Sequence, residues 1–68
     1  MAHPLVTAYE ERRKASGIPA DHVHKRSGVS ASTVWRWLNE SVPPNLGSLE
    51  KLNTALDELI AEKESANG

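Results

Sequence analysis

His22 and His24 are the first residues to weigh for chemistry, because a histidine pair invites a zinc site. Their spacing argues against a shared ion, since residues two apart on a helix point roughly 200° away from each other. His3 is distant in the sequence, and the chain has no cysteine and therefore no thiolate ligand. No serine–histidine–carboxylate arrangement can be argued either, because nothing fixes such groups around a cleft. With 68 residues, 38% of them hydrophobic, the chain can build one thin core, whereas a sizeable catalytic cleft needs more scaffold. The expectation is a protein that is not an enzyme and that holds no metal or cofactor.

The remaining chemistry is charge. The net charge of −1 conceals a polarity. Residues 1–39 carry six cations, Arg12, Arg13, Lys14, Lys25, Arg26 and Arg36, against three anions, a balance of +3. Residues 40–68 carry Lys51 and Lys63 against six anions, a balance of −4. Such asymmetry suits a protein that presents one end to a polyanion, and equally an ordinary solvated surface. The absence of cysteine excludes a disulfide-stapled secreted mini-protein. No apolar run approaches the ~20 residues that span a bilayer, and no signal-peptide pattern opens the chain, so a soluble cytoplasmic protein is expected.

Gly17, Gly28 and Pro43-Pro44 divide the chain into the pieces that must position these side chains. The first runs from about Pro4 to Ser16, where Leu5, Ala8, Tyr9 and Ala15 approximate one helical face interrupted by Arg12. Arg12-Arg13-Lys14 closes it with charge that favours the helix dipole, and the Arg13 stem has the length to lean on the core. The second piece covers about Ala20 to Ser27, with Ile18 and Val23 as apolar anchors, Asp21 near its start and Lys25 and Arg26 at its end. Ser30 is a good N-cap for the third, in which Val34, Trp37 and Leu38 stand at i, i+3 and i+4. Asn45 caps the fourth, where Leu46, Leu49, Leu52, Leu56, Leu59 and Ile60 repeat at helical spacing. That stripe fits one helix to about Glu64 or two helices meeting near Leu56. No period-two strand pattern of any length occurs. The fold class is all-α: a compact bundle of four to five short helices, one domain over residues 1–64, with 65–68 a disordered tail.

The informative feature is the pair of short helices joined at Gly28-Val29-Ser30. Glycine takes a positive φ without steric penalty, so the chain can turn sharply and cross its helices steeply. Val23, Val29, Val34 and Trp37 can fill the wedge, leaving the outer face of the second helix free. From Gly17-Ile18-Pro19 through Leu56 the chain resembles the lambda-repressor-like (Cro/repressor-type) helix-turn-helix family. Gly17-Ile18, Val23, Gly28-Val29-Ser30, Ser32-Thr33-Val34, Arg36-Trp37, Pro44 and the leucine series carry the resemblance, with Leu5, Tyr9 and Arg13 placed on the first helix. Members of that family are mostly transcriptional regulators, often of phages, plasmids or toxin–antitoxin loci, and commonly bind DNA as dimers.

The resemblance implies a helix-turn-helix over about 19–39, with residues 30–39 a recognition helix in the major groove of double-stranded DNA. Ser30, Ala31, Ser32, Trp35, Arg36 and Asn39 would face the duplex, and they lie off the Val34–Trp37–Leu38 face. Arg36 is the leading base reader, because a guanidinium can donate two hydrogen bonds to guanine O6 and N7. Ser32 suits a base edge or a phosphate, Ser30 a cap and a phosphate together, and Asn39 the backbone. The amides of Asn45 and Leu46 suit another phosphate, and Lys25 and Arg26 either steer phosphate or are simply solvated. Trp35 points either to a thymine methyl or sugar, or into packing against the first helix, the loop or a dimer partner. Leu59 and Ile60, with Val42 nearby, offer a homodimer seam, since so small a domain gains stability by association. The expected function is a small repressor or Cro-like regulator, of phage or prokaryotic origin, on an inverted-repeat operator, controlled by its own abundance or by a protein partner. The alternative is a protein-interaction module on the same fold, antitoxin-like or an adaptor.

Overall fold

Each helix starts and stops where the local sequence supplies the chemistry for it. A computed structural model describes residues 3–40 and 42–67. Among them are four helices, α1 (Pro4–Ser16), α2 (Ala20–Ser27), α3 (Ala31–Asn39) and α4 (Leu46–Asn67), and no strand. His3 caps α1, its Nδ1 accepting from the Leu5 amide at 3.1 Å, with Pro4 in the first turn where its missing N–H costs nothing. Gly17 ends α1 at φ 75°, and the Lys63 Nζ donates to the Ser16 carbonyl at 2.8 Å, satisfying an end group that α1 cannot bond itself. Asn45 caps α4 by accepting from the Ser48 amide at 3.1 Å.

α4 is a single helix rather than two meeting near Leu56, and it runs past Glu64 to Asn67; Gly68, the end of the expected tail, lies outside the described residues. Its 22 residues rise about 33 Å at ~1.5 Å each, which accounts for the long dimension of a molecule measuring 40 × 21 × 16 Å. α1 and α2 both pack along it.

The core consists of Val6 and Tyr9 from α1, Ile18, Val23 from α2, Val29, Val34 and Trp37 from α3, and Leu49, Leu52, Ala55 and Leu56 from α4. Leu38, Leu59 and Ile60 pack against it from the side. Fully burying an aliphatic or aromatic side chain stabilises by about 1.5–3 kcal/mol, so α4, with four core positions, is the largest contributor.

Two expectations are corrected. α1 does not bury Leu5, Ala8 and Ala15, all of which are exposed. Its inner face is Val6, Tyr9, Glu10 and Arg13, at i, i+3, i+4 and i+7. The polar half of that face is closed by the Arg13 guanidinium, which donates to the Ile18 carbonyl at 2.9 Å and pairs with Glu10 at 3.2 Å. Leu46, the first residue of α4, is likewise 64% exposed, because it lies beyond the end of the core.

α4 also ties the molecule together by charge. Arg12 of α1 pairs with Asp57 at 2.8 Å and donates to the Asn53 carbonyl at 3.2 Å. Arg26 of α2 bridges Glu58 at 3.2 Å and Glu62 at 2.6 Å. Such exposed pairs each stabilise by only about 0–1 kcal/mol. Their larger effect is to spend cations of the basic first half on anions of the acidic second half. No helix among the described residues is long and apolar enough to cross a membrane.

Candidate functional site

The connection between α2 and α3 is only Gly28, Val29 and Ser30 long, and several hydrogen bonds hold it in place. Gly28 sits at φ 77° and its amide donates to the His24 carbonyl at 3.0 Å. A Cβ there would meet nothing within 4 Å, so the left-handed backbone, not crowding, calls for glycine. The Val29 amide donates to the Ser27 Oγ at 3.1 Å, and that hydroxyl lies 3.4 Å from the His24 carbonyl. The Val29 carbonyl accepts from the His24 Nδ1 at 3.2 Å, which places the imidazole proton on that nitrogen. His24 is therefore a brace for the turn, while His22 is exposed. Among the described residues, no three histidine, aspartate or glutamate side chains gather where a metal could sit.

Ser30 caps α3, its Oγ accepting from the Thr33 amide at 3.3 Å and sharing a proton with the Thr33 hydroxyl at 2.9 Å. With Val34 and Trp37 turned into the core, α3 leaves Ser30, Ala31, Ser32, Trp35, Arg36 and Asn39 exposed. Trp35 is 57% exposed, so it does not pack into the body of this chain. Asn39 is held on the helix by its Nδ2, which donates to the Trp35 carbonyl at 2.9 Å. Ala31, Ser32, Trp35 and Arg36 share one shallow depression with Glu40. The spacing of Arg36 and Glu40, i and i+4 about the end of α3, is a sequence signal for that neighbourhood.

Arginine is where the structure discriminates most. Arg12, Arg13 and Arg26 are each paired with a carboxylate of the same chain. The bonds from Glu62 and then Glu58 hold the Arg26 proton even more firmly than usual. Arg36 has no such partner among the described residues and is exposed. The loss of Arg26 to α4 has no signal in the local sequence, since its partners lie 32 and 36 positions away.

Two other expected contributors stand apart. Lys25 lines a separate depression with His22, Arg26 and Leu59, and is not gathered with the α3 side chains. Asn45 is exposed, but its Oδ1 is occupied in capping α4, which leaves the first-turn amides there as the donors open to an anion.

No family model, curated protein or solved structure matches this chain. Among the described residues it forms four helices, and the three-residue turn between α2 and α3 sets a small polar and aromatic face of α3 toward solvent.

Proposed function

We propose that the chain binds double-stranded DNA through a helix-turn-helix made of α2, the Gly28–Ser30 turn and α3, acting as a small transcriptional regulator. The observation that carries this reading is the state of the arginines. Three of the four are tied to carboxylates, and the one without such a partner among the described residues is Arg36, beside Ser32 and Trp35 on the exposed face of α3. An unpaired guanidinium on a short outward helix is suited to guanine O6 and N7, and each such bidentate contact is worth about 1–3 kcal/mol of discrimination. Ser32 complements it as donor or acceptor, and Trp35 offers an apolar edge to a thymine methyl. Ser30 and the first-turn amides of α4 position the helix on phosphates. The chain acts as a homodimer on an inverted repeat, with half-sites about 34–36 Å apart.

Selection of bound sequences from a random duplex pool, read by fluorescence anisotropy, tests the proposal. A palindromic sequence held far tighter than the pool is expected, with Arg36→Ala losing about 1–3 kcal/mol of that preference. No enrichment, with only weak salt-sensitive binding, overturns it. Trp35, 57% exposed on α3, favours a second reading, an interaction module that takes a protein partner through an apolar interface. Salt separates the two against an apolar interface, since phosphate contacts weaken steeply as salt rises.

A further inference from the structure

Glu40 closes α3 on the same side as the proposed base readers. Its amide donates to the Arg36 carbonyl at 2.9 Å, which fixes its backbone one turn beyond Arg36. Its side chain is exposed and lines the depression shared by Ala31, Ser32, Trp35 and Arg36. Opposite charges at i and i+4 on a helix commonly pair. Here they do not. Among the described residues the ion-paired arginines are Arg12, Arg13 and Arg26, and Glu40 takes part in none of those pairs. The depression therefore presents a guanidinium, which only donates, and a carboxylate, which only accepts, each open to an outside partner.

We propose that Glu40 determines specificity by accepting a hydrogen bond from the N4 amino group of a cytosine. The inference rests on the DNA reading above and adds a second base to it. Phosphate repels a carboxylate on a face turned to DNA, so the favourable partners of Glu40 are hydrogen-bond donors on base edges. In the major groove these are the amino groups of cytosine and adenine, because guanine offers two acceptors and thymine an acceptor and a methyl. Adenine sets its N7 acceptor beside that amino group, where it opposes the second carboxylate oxygen, whereas the edge of cytosine carries no acceptor. Four residues of helix rise about 6 Å, close to two base-pair steps of about 3.4 Å. The cytosine accordingly stands within about two base pairs of the guanine read by Arg36. The same carboxylate also acts against wrong sequences, since a guanine or thymine beneath it sets acceptor against acceptor.

Selection from a random duplex pool, run in parallel on the wild-type chain, Glu40→Gln and Glu40→Ala, tests the assignment. The wild-type half-site should hold a cytosine within two base pairs of the guanine whose preference Arg36→Ala abolishes. Glu40→Gln should shift the preference at that one position from cytosine to adenine by about tenfold, because a glutamine amide matches adenine N6 and N7 together. Glu40→Ala should lose the preference there and keep it elsewhere. Glu40→Gln binding every sequence more tightly, with the preference at each position unchanged, would mean that Glu40 merely repels phosphate, and overturns the proposal. A palindrome still selected under that outcome leaves the DNA reading standing and removes this one alone. No enrichment by any of the three proteins removes both.

Discussion

Tyr9 puts a hydroxyl into the core with no hydrogen-bond partner among the described residues. Desolvation first, and the nearby Glu10 second, raise its pKa, against smaller opposing effects of Arg13 and Arg12. The sign of the consequence is definite. The folded state keeps this proton longer than the unfolded chain, so the stability it reflects is fully present below the ordinary tyrosine range of about 10 and is lost as pH rises through the raised folded value. Tyr9→Phe should remove that alkaline loss and should be about 1 kcal/mol more stable at neutral pH, because a buried orphan group is gone. Urea melts of both proteins at neutral and alkaline pH test this, and parallel pH profiles would contradict it. Gly28 is a second point where one residue sets the geometry. Gly28→Ala should cost about 1–2 kcal/mol through the left-handed backbone alone, since a methyl there meets no neighbour. A loss well beyond that range would mean that space matters after all.

At the scale of elements, Ser30 separates the stability of α3 from its surface chemistry. Ser30→Ala should lose about 1 kcal/mol in thermal melts while keeping the core intact, because it removes the bond to the Thr33 amide. Leu52→Ala should cost about 2–5 kcal/mol, since this side chain is wholly buried in the middle of α4. If it cost no more than Ser30→Ala, α4 would not be the spine of the core. The extents of α2 and α3 are legible in the sequence because their signals are local: Gly17 and Gly28 stop helices, Ser30 starts one, and Val34 with Trp37 turns the remaining side chains of α3 outward. The inner face of α1 is not legible, because half of it is the Glu10–Arg13 pair and reads as surface. The helical spacing of the apolar residues then groups Leu5 and Ala8 with Tyr9 and leaves Val6 out. The length of α4 past Glu64 is hidden for a similar reason, since Ser65, Ala66 and Asn67 include no large apolar residue to mark a helical face.

Over the whole molecule, the charge polarity seen along the sequence is largely cancelled in space. Arg12 and Arg26 face Asp57, Glu58 and Glu62, so the first half does not present its +3 as an open basic surface. Among the described residues, the cations left without an ion pair and open to phosphate are Lys14, Lys25, Arg36 and Lys51, with Lys63 bonded to Ser16. At about −0.9 per phosphate contact, the slope of log affinity against log salt should be no steeper than about −4 per chain. A titration of operator binding between low and moderate salt measures it, and a steeper slope would show that DNA pulls Arg12 or Arg26 away from α4. The separation of Arg26 from Glu62 by 36 positions explains why none of this is visible from composition.

The ribosome delivers α4 last. Until it does, Val6, Val23 and Trp37 have no Leu49, Leu52 and Leu56 to cover them, and Arg12 and Arg26 lack Asp57, Glu58 and Glu62, beside a ribosomal surface made largely of RNA. Stalled nascent chains ending before Leu49 should be protease-sensitive and should cling to that surface, whereas chains whose α4 has cleared the exit tunnel should be resistant and free. The acidic helix would then complete the core and, in the same event, release the newborn chain from the first polyanion it meets.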